Sequence, residues 1–146
     1  MNYITKLQEN LLTAVQVSPY REKTIVFGEG AEAPLLMMIG EAPGGDEEKQ
    51  GRPFVGKAGK NLSAFLEVVG LKREEIYISN VVKLRPTKES PKTGKAVNRP
   101  PSAEEIAFFL PFLQEEIQTI APKVLVTLGN VPLKAVTGEK KAVIGD

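Results

Sequence analysis

Between Tyr3 and Val17 the apolar residues Ile4, Leu7, Leu11, Leu12 and Val15 recur at helical spacing, which predicts an amphipathic helix closed by Pro19. Ile25-Val26-Phe27 ahead of Gly28-Glu29-Gly30 reads as a short extended piece ending in a turn. Pro34 then introduces five consecutive apolar residues, Leu35 to Ile39, a run suited to a strand covered on both faces. Leu62, Phe65, Leu66 and Val69 form one helical stripe, and Gly70 stands where a C′ glycine ends a helix. A second strand, Ile76 to Val82, follows. Ser102-Ala103-Glu104-Glu105 has the form of a capping box and opens a helix to about Ile120. Pro111 predicts a kink or tightened turn within it, and Pro122 ends it. Lys123 to Leu128 is a third buried strand, and Gly129 leads into a short helix ending near Gly138. This alternation predicts an α/β fold, a three-layer α/β/α domain with a central parallel sheet. The Leu35 strand is expected at its centre, between those at Ile76 and Lys123.

Two stretches break the pattern. Ile39 to Gly59 joins the first strand to a helix through a segment loaded with Gly, Pro and carboxylates, longer than a connection requires. Ligands of open α/β sheets sit in crevices at the carboxyl ends of the strands, which is where this segment begins. Lys83 to Pro101 carries Lys83, Arg85, Lys88, Lys92, Lys95 and Arg99 against the single acid Glu89, with four prolines, and reads as a basic, exposed loop.

With 146 residues and 42% hydrophobic content the chain has enough for one core, so residues 1–146 are read as a single domain. The balance of 19 Lys and Arg against 18 Asp and Glu leaves a formal charge of +1, so any nucleic-acid patch must be local. The chain has no Cys and no His. That excludes disulfides, Cys-ligated zinc or iron–sulfur centres, and the Ser-His-Asp and Cys-His catalytic families. No apolar run approaches the ~20 residues that cross a bilayer, and the first eighteen residues lack a signal-peptide core, so an intracellular, cytoplasmic protein with no membrane partner is expected.

Gly51-Arg52-Pro53-Phe54-Val55-Gly56-Lys57-Ala58 nearly spells a phosphate-binding loop, but Ala58 stands where the magnesium-binding hydroxyl is needed and Pro53 removes an N–H from the cradle. A nucleotide triphosphatase is set aside on that ground. Glu41, between Gly40 and the Ala42-Pro43-Gly44 turn, has a fixed direction at the strand end and is the candidate for activating water or stabilising a cation. Asp46, Glu47 and Glu48 follow shortly after, and Glu47 and Glu48 read as solvated loop charges. Phe54 is a large aromatic in a loop of Gly, Pro and charge; it either folds back into the core or offers a stacking platform for a flat ligand. Asn80, a carboxamide near the end of an apolar strand, either caps that strand or supplies the donor and acceptor that reading a base edge requires.

The segment GEAPGGDEEKQGRPFVGKAG, Gly40 to Gly59, resembles the first motif of the family 4 uracil-DNA glycosylases nearly throughout. Ile78-Ser79-Asn80-Val81-Val82-Lys83 resembles that family's second strand, and Asn98-Arg99-Pro100 with the following helix is also similar. The resemblance covers essentially the whole chain. It implies hydrolysis of the N-glycosidic bond of uracil in DNA, for base excision repair, with uracil-containing DNA as the partner. It further implies that Glu41 is the catalytic carboxylate near the sugar, that Gly40, Ala42 and Phe54 shape the base pocket, and that Asn80 reads the uracil edge. Lys83, Arg85, Lys88, Lys92, Lys95 and Arg99 would then meet the DNA backbone.

The sequence departs from that family in two places. Its relatives typically hold an iron–sulfur cluster on four Cys, whose places correspond to Val15, Ser18, Leu84 and Phe109; apolar replacements fill space rather than open it, so a cluster-free variant with no metal and no cofactor is expected. The family's second motif, a His-containing segment after a fourth strand, is absent, the chain stopping at Ile144-Gly145-Asp146. An unpaired edge on the Lys123 strand is the expected consequence, favouring self-association or lower stability. A non-catalytic uracil- or DNA-binding module of the same fold, and a small-molecule nucleotide hydrolase, are the alternative readings.

Overall fold

A computed structural model of the protein describes residues 3–138. Its elements in chain order are α1 (Tyr3–Gln16), β1 (Glu29–Gly30), β2 (Leu36–Gly40), α2 (Gly45–Gln50), α3 (Lys57–Val69), a 3₁₀ turn (Arg73–Glu75), β3 (Tyr77–Asn80), β4 (Thr87–Glu89), β5 (Ala96–Asn98), α4 (Ala103–Ile120), β6 (Val124–Thr127) and α5 (Asn130–Thr137). The main sheet has the order β1-β3-β2-β6. β2 runs parallel to both neighbours, with Met38 opposite Ile78 and Val126, and Gly40 opposite Asn80. The three expected parallel strands are therefore present in the expected order.

Alternation along the strands divides the core into two layers. Met38 and Ile78 face α3, where they pack with Leu62 and Leu66. Met37, Ile39 and Tyr77 point the other way, into a cluster with Leu11 and Val15 of α1 and Phe109 and Leu113 of α4. Phe65 and Val69 depart from the predicted stripe, because both are exposed rather than packed in the core. The capping box at Ser102 forms as read: Glu105 N–H donates to Ser102 Oγ at 3.1 Å and Ser102 N–H to Glu105 Oε1 at 2.7 Å. α4 runs on as one helix through Pro111.

Two features differ from the sequence reading. An antiparallel strand, β1, covers the outer edge of β3, pairing Glu29 with Ile78 and Gly30 with Tyr77. What looked like turn glycine is needed for contact, since a Cβ on Gly30, at φ +138°, would stand 2.0 Å from the Ile76 carbonyl oxygen. The basic stretch is not a plain loop either. β4 and β5 form an antiparallel hairpin, Thr87 opposite Asn98 and Glu89 opposite Ala96, whose turn is closed by Ser90 N–H on Lys95 O and Gly94 N–H on Ser90 O. The chain end at Ile144-Gly145-Asp146 lies outside the described residues. Among the described residues β6 forms the other edge of the sheet, and no helix is long and apolar enough to cross a membrane.

Candidate active site

The parallel register of β2 and β3 sets Gly40 and Asn80 side by side at the carboxyl ends of their strands. The ladder continues one step further, Val81 N–H donating to Gly40 O and Val82 N–H to Glu41 O, so the backbone of Glu41 is fixed. A cavity of about 420 Å³ opens at this point, with Met38, Leu62, Phe65 and Val126 among its apolar walls. Glu41, Ala42, Phe54 and Asn80 all border it, so the structure brings the first-motif and second-strand candidates together.

Asn80 is only 5% exposed and its carboxamide makes no hydrogen bond to another described residue, yet neither amide atom is sealed from solvent: the group opens to the cavity. Donor and acceptor of this amide are thus presented to the cavity, where an incoming ligand can pair with both. Gly40 makes room for the amide. A Cβ there would stand 2.5 Å from Asn80 Oδ1 and 2.7 Å from Phe54 Cζ, so only glycine lets carboxamide and ring flank the cavity floor together.

Phe54 is 6% exposed, packs with Met38 and Leu62, and borders the cavity, so core residue and pocket wall are one and the same. Its φ of 53° is left-handed, a conformation that costs a bulky residue on the order of 1–3 kcal/mol and persists only when its surroundings impose it. The restraint has two parts. Arg73 Nη1 donates to the Phe54 carbonyl at 2.7 Å and Nη2 to the Pro53 carbonyl at 2.5 Å. On the other polar edge, Glu47 Oε2 accepts from Val55 N–H at 3.0 Å and Gly56 N–H at 2.9 Å, while Oε1 accepts from Gly44 N–H at 2.9 Å.

Glu47 is therefore not the solvated loop charge its sequence context suggested. It is 8% exposed and tethers both ends of the first-motif segment. Burial pushes its carboxyl upward, but the backbone N–H groups of Gly56, Val55 and Gly44 and its own outweigh that and hold its pKa below the usual carboxylate range. Glu47 makes half of a capping box, accepting from the Gly44 N–H at the start of α2, but with glycine at the N-cap the sequence lacks the Ser or Thr that would have signalled it. Arg73 leaves no local signal either.

The basic residues separate into three groups. Lys83 is corrected outright: it is 3% exposed, with Nζ held by Glu116 Oε1 at 2.9 Å, Ser79 Oγ at 3.0 Å and the Asn80 carbonyl, and cannot reach a phosphate. Arg85 and Arg99 are half-buried and engaged, Arg85 with Asn98 Oδ1 at 2.7 Å and Glu48 at 3.6 Å, Arg99 in a two-pronged bond to Glu105 at 2.7 and 2.9 Å. Lys88, Lys92 and Lys95 stand exposed along the β4–β5 hairpin.

Sheet, crevice and restrained aromatic define an α/β domain of the class that holds a ligand at the carboxyl ends of its parallel strands. A model of the uracil DNA glycosylase superfamily matches residues 27–145, and the chain belongs to that superfamily. Among its relatives, the type-4 uracil-DNA glycosylase of Sulfurisphaera tokodaii is 39% identical over 132 residues, covering 89% of this chain and 56% of the relative. That of Saccharolobus solfataricus is 43% identical over 109 residues, covering 74% and 46%. The Thermotoga maritima enzyme is 42% identical over 120 residues, covering 82% and 58%. The chain thus spans about half the length of the curated relatives it matches.

The four positions that the resemblance assigns to iron–sulfur ligands do not fit such a cluster. Val15, Leu84 and Phe109 are buried in the same apolar cluster, filling its interior. Ser18 spends its hydroxyl locally, donating to Val15 O at 2.7 Å and accepting from Tyr20 N–H at 3.0 Å. Tyr20 and Phe108 seal this region around Phe109, with ring centroids 5.0 to 6.2 Å apart. No group of three acidic side chains that could hold a metal ion exists among the described residues.

Proposed function

We propose that this chain excises uracil from DNA by hydrolysing the N-glycosidic bond. The observation that carries the reading is the Asn80 carboxamide, which opens beside the Phe54 ring into a largely apolar cavity that Glu41 also borders. A pyrimidine with alternating carbonyl and imide N–H groups offers that amide both a donor and an acceptor, whereas cytosine presents the reverse pattern at the same edge. Entry requires the nucleotide to be turned out of the stack. Phe54 then lies against the base and Glu41 borders the sugar side. In the reaction water oxygen bonds to C1′ as the C1′–N1 bond breaks, the bonding pair leaves with N1, and the uracil anion takes up a proton. The Glu41 carboxylate stabilises the cationic sugar or accepts the water proton. The exposed lysines of the β4–β5 hairpin supply phosphate contacts that a net charge of +1 does not.

The test is release of uracil from a single-stranded uracil oligonucleotide, beside binding of the same strand and of its thymine counterpart. Uracil release that Asn80→Ala suppresses supports the reading. Selective binding without release would make the chain a uracil-binding module, and equal binding of both strands without release would reject the pocket assignment.

A further inference from the structure

We infer that Arg73, which does not border the cavity, is a positioning residue that sets the placement of the Phe54 ring. The inference deepens the glycosylase reading and rests on it for the identity of the ligand. It begins from an oddity of charge: among the described residues Arg73 has no carboxylate in ion-pair range, and its Nε–H is buried without a partner. The neighbouring Arg52 takes Glu29 through two bonds of 2.9 Å instead. The acceptors of Arg73 are the two main-chain carbonyls of Pro53 and Phe54, 20 and 19 residues away.

Two adjacent carbonyls match the fixed fork of a guanidinium and not the point charge of an ammonium. The bonds are charge-assisted, and they fall on the residue whose φ of 53° needs outside restraint. Gly59 leaves room for the same carbonyl, since a Cβ there would stand 2.3 Å from Phe54 O, and Glu47 holds the next two N–H groups. Opposite charges thus grip opposite polar edges of residues 53–56, and the ring direction follows from the backbone between them. Releasing the Arg73 side lets Phe54 relax to negative φ and carries the ring off the cavity wall.

The experiment compares the parent, Arg73→Met, Arg73→Lys, Phe54→Ala and the Arg73→Met/Phe54→Ala double variant. Ring-labelled Phe gives NMR signals from six residues, and Phe54→Ala assigns the one that matters. In Arg73→Met the Phe54 signal is expected to shift or broaden while the other five hold, which also reports an intact fold. Affinity for a uracil oligonucleotide is expected to drop roughly tenfold, within what the loss of one base–aromatic stack costs. Arg73→Lys should restore part of it. In the Phe54→Ala background the same Arg73 change should cost less than about twofold, because its effect passes through the ring. An unmoved Phe54 signal in Arg73→Met, or an equal loss of affinity in both backgrounds, overturns the inference. A shifted Phe54 signal in a protein whose parent ignores uracil supports the positioning role and rejects the ligand instead.

Discussion

Lys83 Nζ lies 2.9 Å from Glu116 Oε1, a buried ion pair that ties the end of β3 to α4. Tyr77 and Ser79 donate hydroxyl hydrogens to the same carboxylate at 2.8 to 3.0 Å, and the ammonium also holds the Asn80 carbonyl. Burial is the largest of the influences raising the Tyr77 phenol far above its ordinary value, with the Glu116 charge and hydrogen bond adding to it, so the hydroxyl stays a donor. Removing one partner strands a charge, and Lys83→Met or Glu116→Leu alone should each cost about 3–5 kcal/mol. The double variant should cost clearly less than the sum. Urea denaturation of all four proteins measures this, and additive losses would refute the coupling.

Asn80 should matter to binding more than to stability. Its carboxamide makes no hydrogen bond to another described residue, so Asn80→Leu is expected to leave the melting temperature nearly unchanged while uracil affinity falls, by about 1–3 kcal/mol for the lost amide contacts. A large loss of stability would mean that the amide serves the fold and not the pocket.

The order of the strands was readable because five apolar residues in a row leave few options for Leu35 to Ile39, and because Gly40 and Asn80 end their strands at matching positions. Contacts between distant segments were not. Lys83 looked like one more cation in a basic stretch because its partner, Glu116, lies 33 residues further on. Glu47 looked solvated because the N–H groups that bury it become available only when Pro53 and Phe54 turn back, which Arg73 arranges from beyond α3. The hairpin was missed because Thr87–Glu89 and Ala96–Asn98 are short, polar and exposed, with no alternation to betray them.

Acid should weaken the fold through Glu47 and Glu105. Both have folded pKa values below the ordinary 4.5, Glu47 through backbone N–H groups despite burial, Glu105 chiefly through Arg99. In that range the unfolded chain binds more protons, so stability is fully present above about pH 4.5 and is lost as pH falls through the depressed values. Glu47→Gln should be less stable at neutral pH and lose less on acidification. A parent-like pH slope in urea midpoints for this variant would contradict the assignment.

Glu41→Gln should lower the rate of uracil release by about 10²–10⁴-fold while oligonucleotide affinity changes little, because a carboxylate acts here only as charge develops. Single-turnover kinetics beside equilibrium binding separate the two. A parallel loss in both would make Glu41 a binding residue.

Changing Lys88, Lys92 and Lys95 to Ala should flatten the dependence of log affinity on log salt by about 2–3, at 0.7–0.9 per phosphate contact. Titrations at several salt concentrations decide. An unchanged slope moves the phosphate contacts away from the hairpin, to Lys57 and Lys60 at the start of α3.

The two methionines of β2, Met37 and Met38, are 0% and 2% exposed, and the chain contains no cysteine. All the sulfur among the described residues is therefore sealed between the two core layers, out of reach of peroxide. Val15, Leu84 and Phe109 are likewise buried in one apolar cluster, so the described residues present no exposed thiol or thioether to an oxidant.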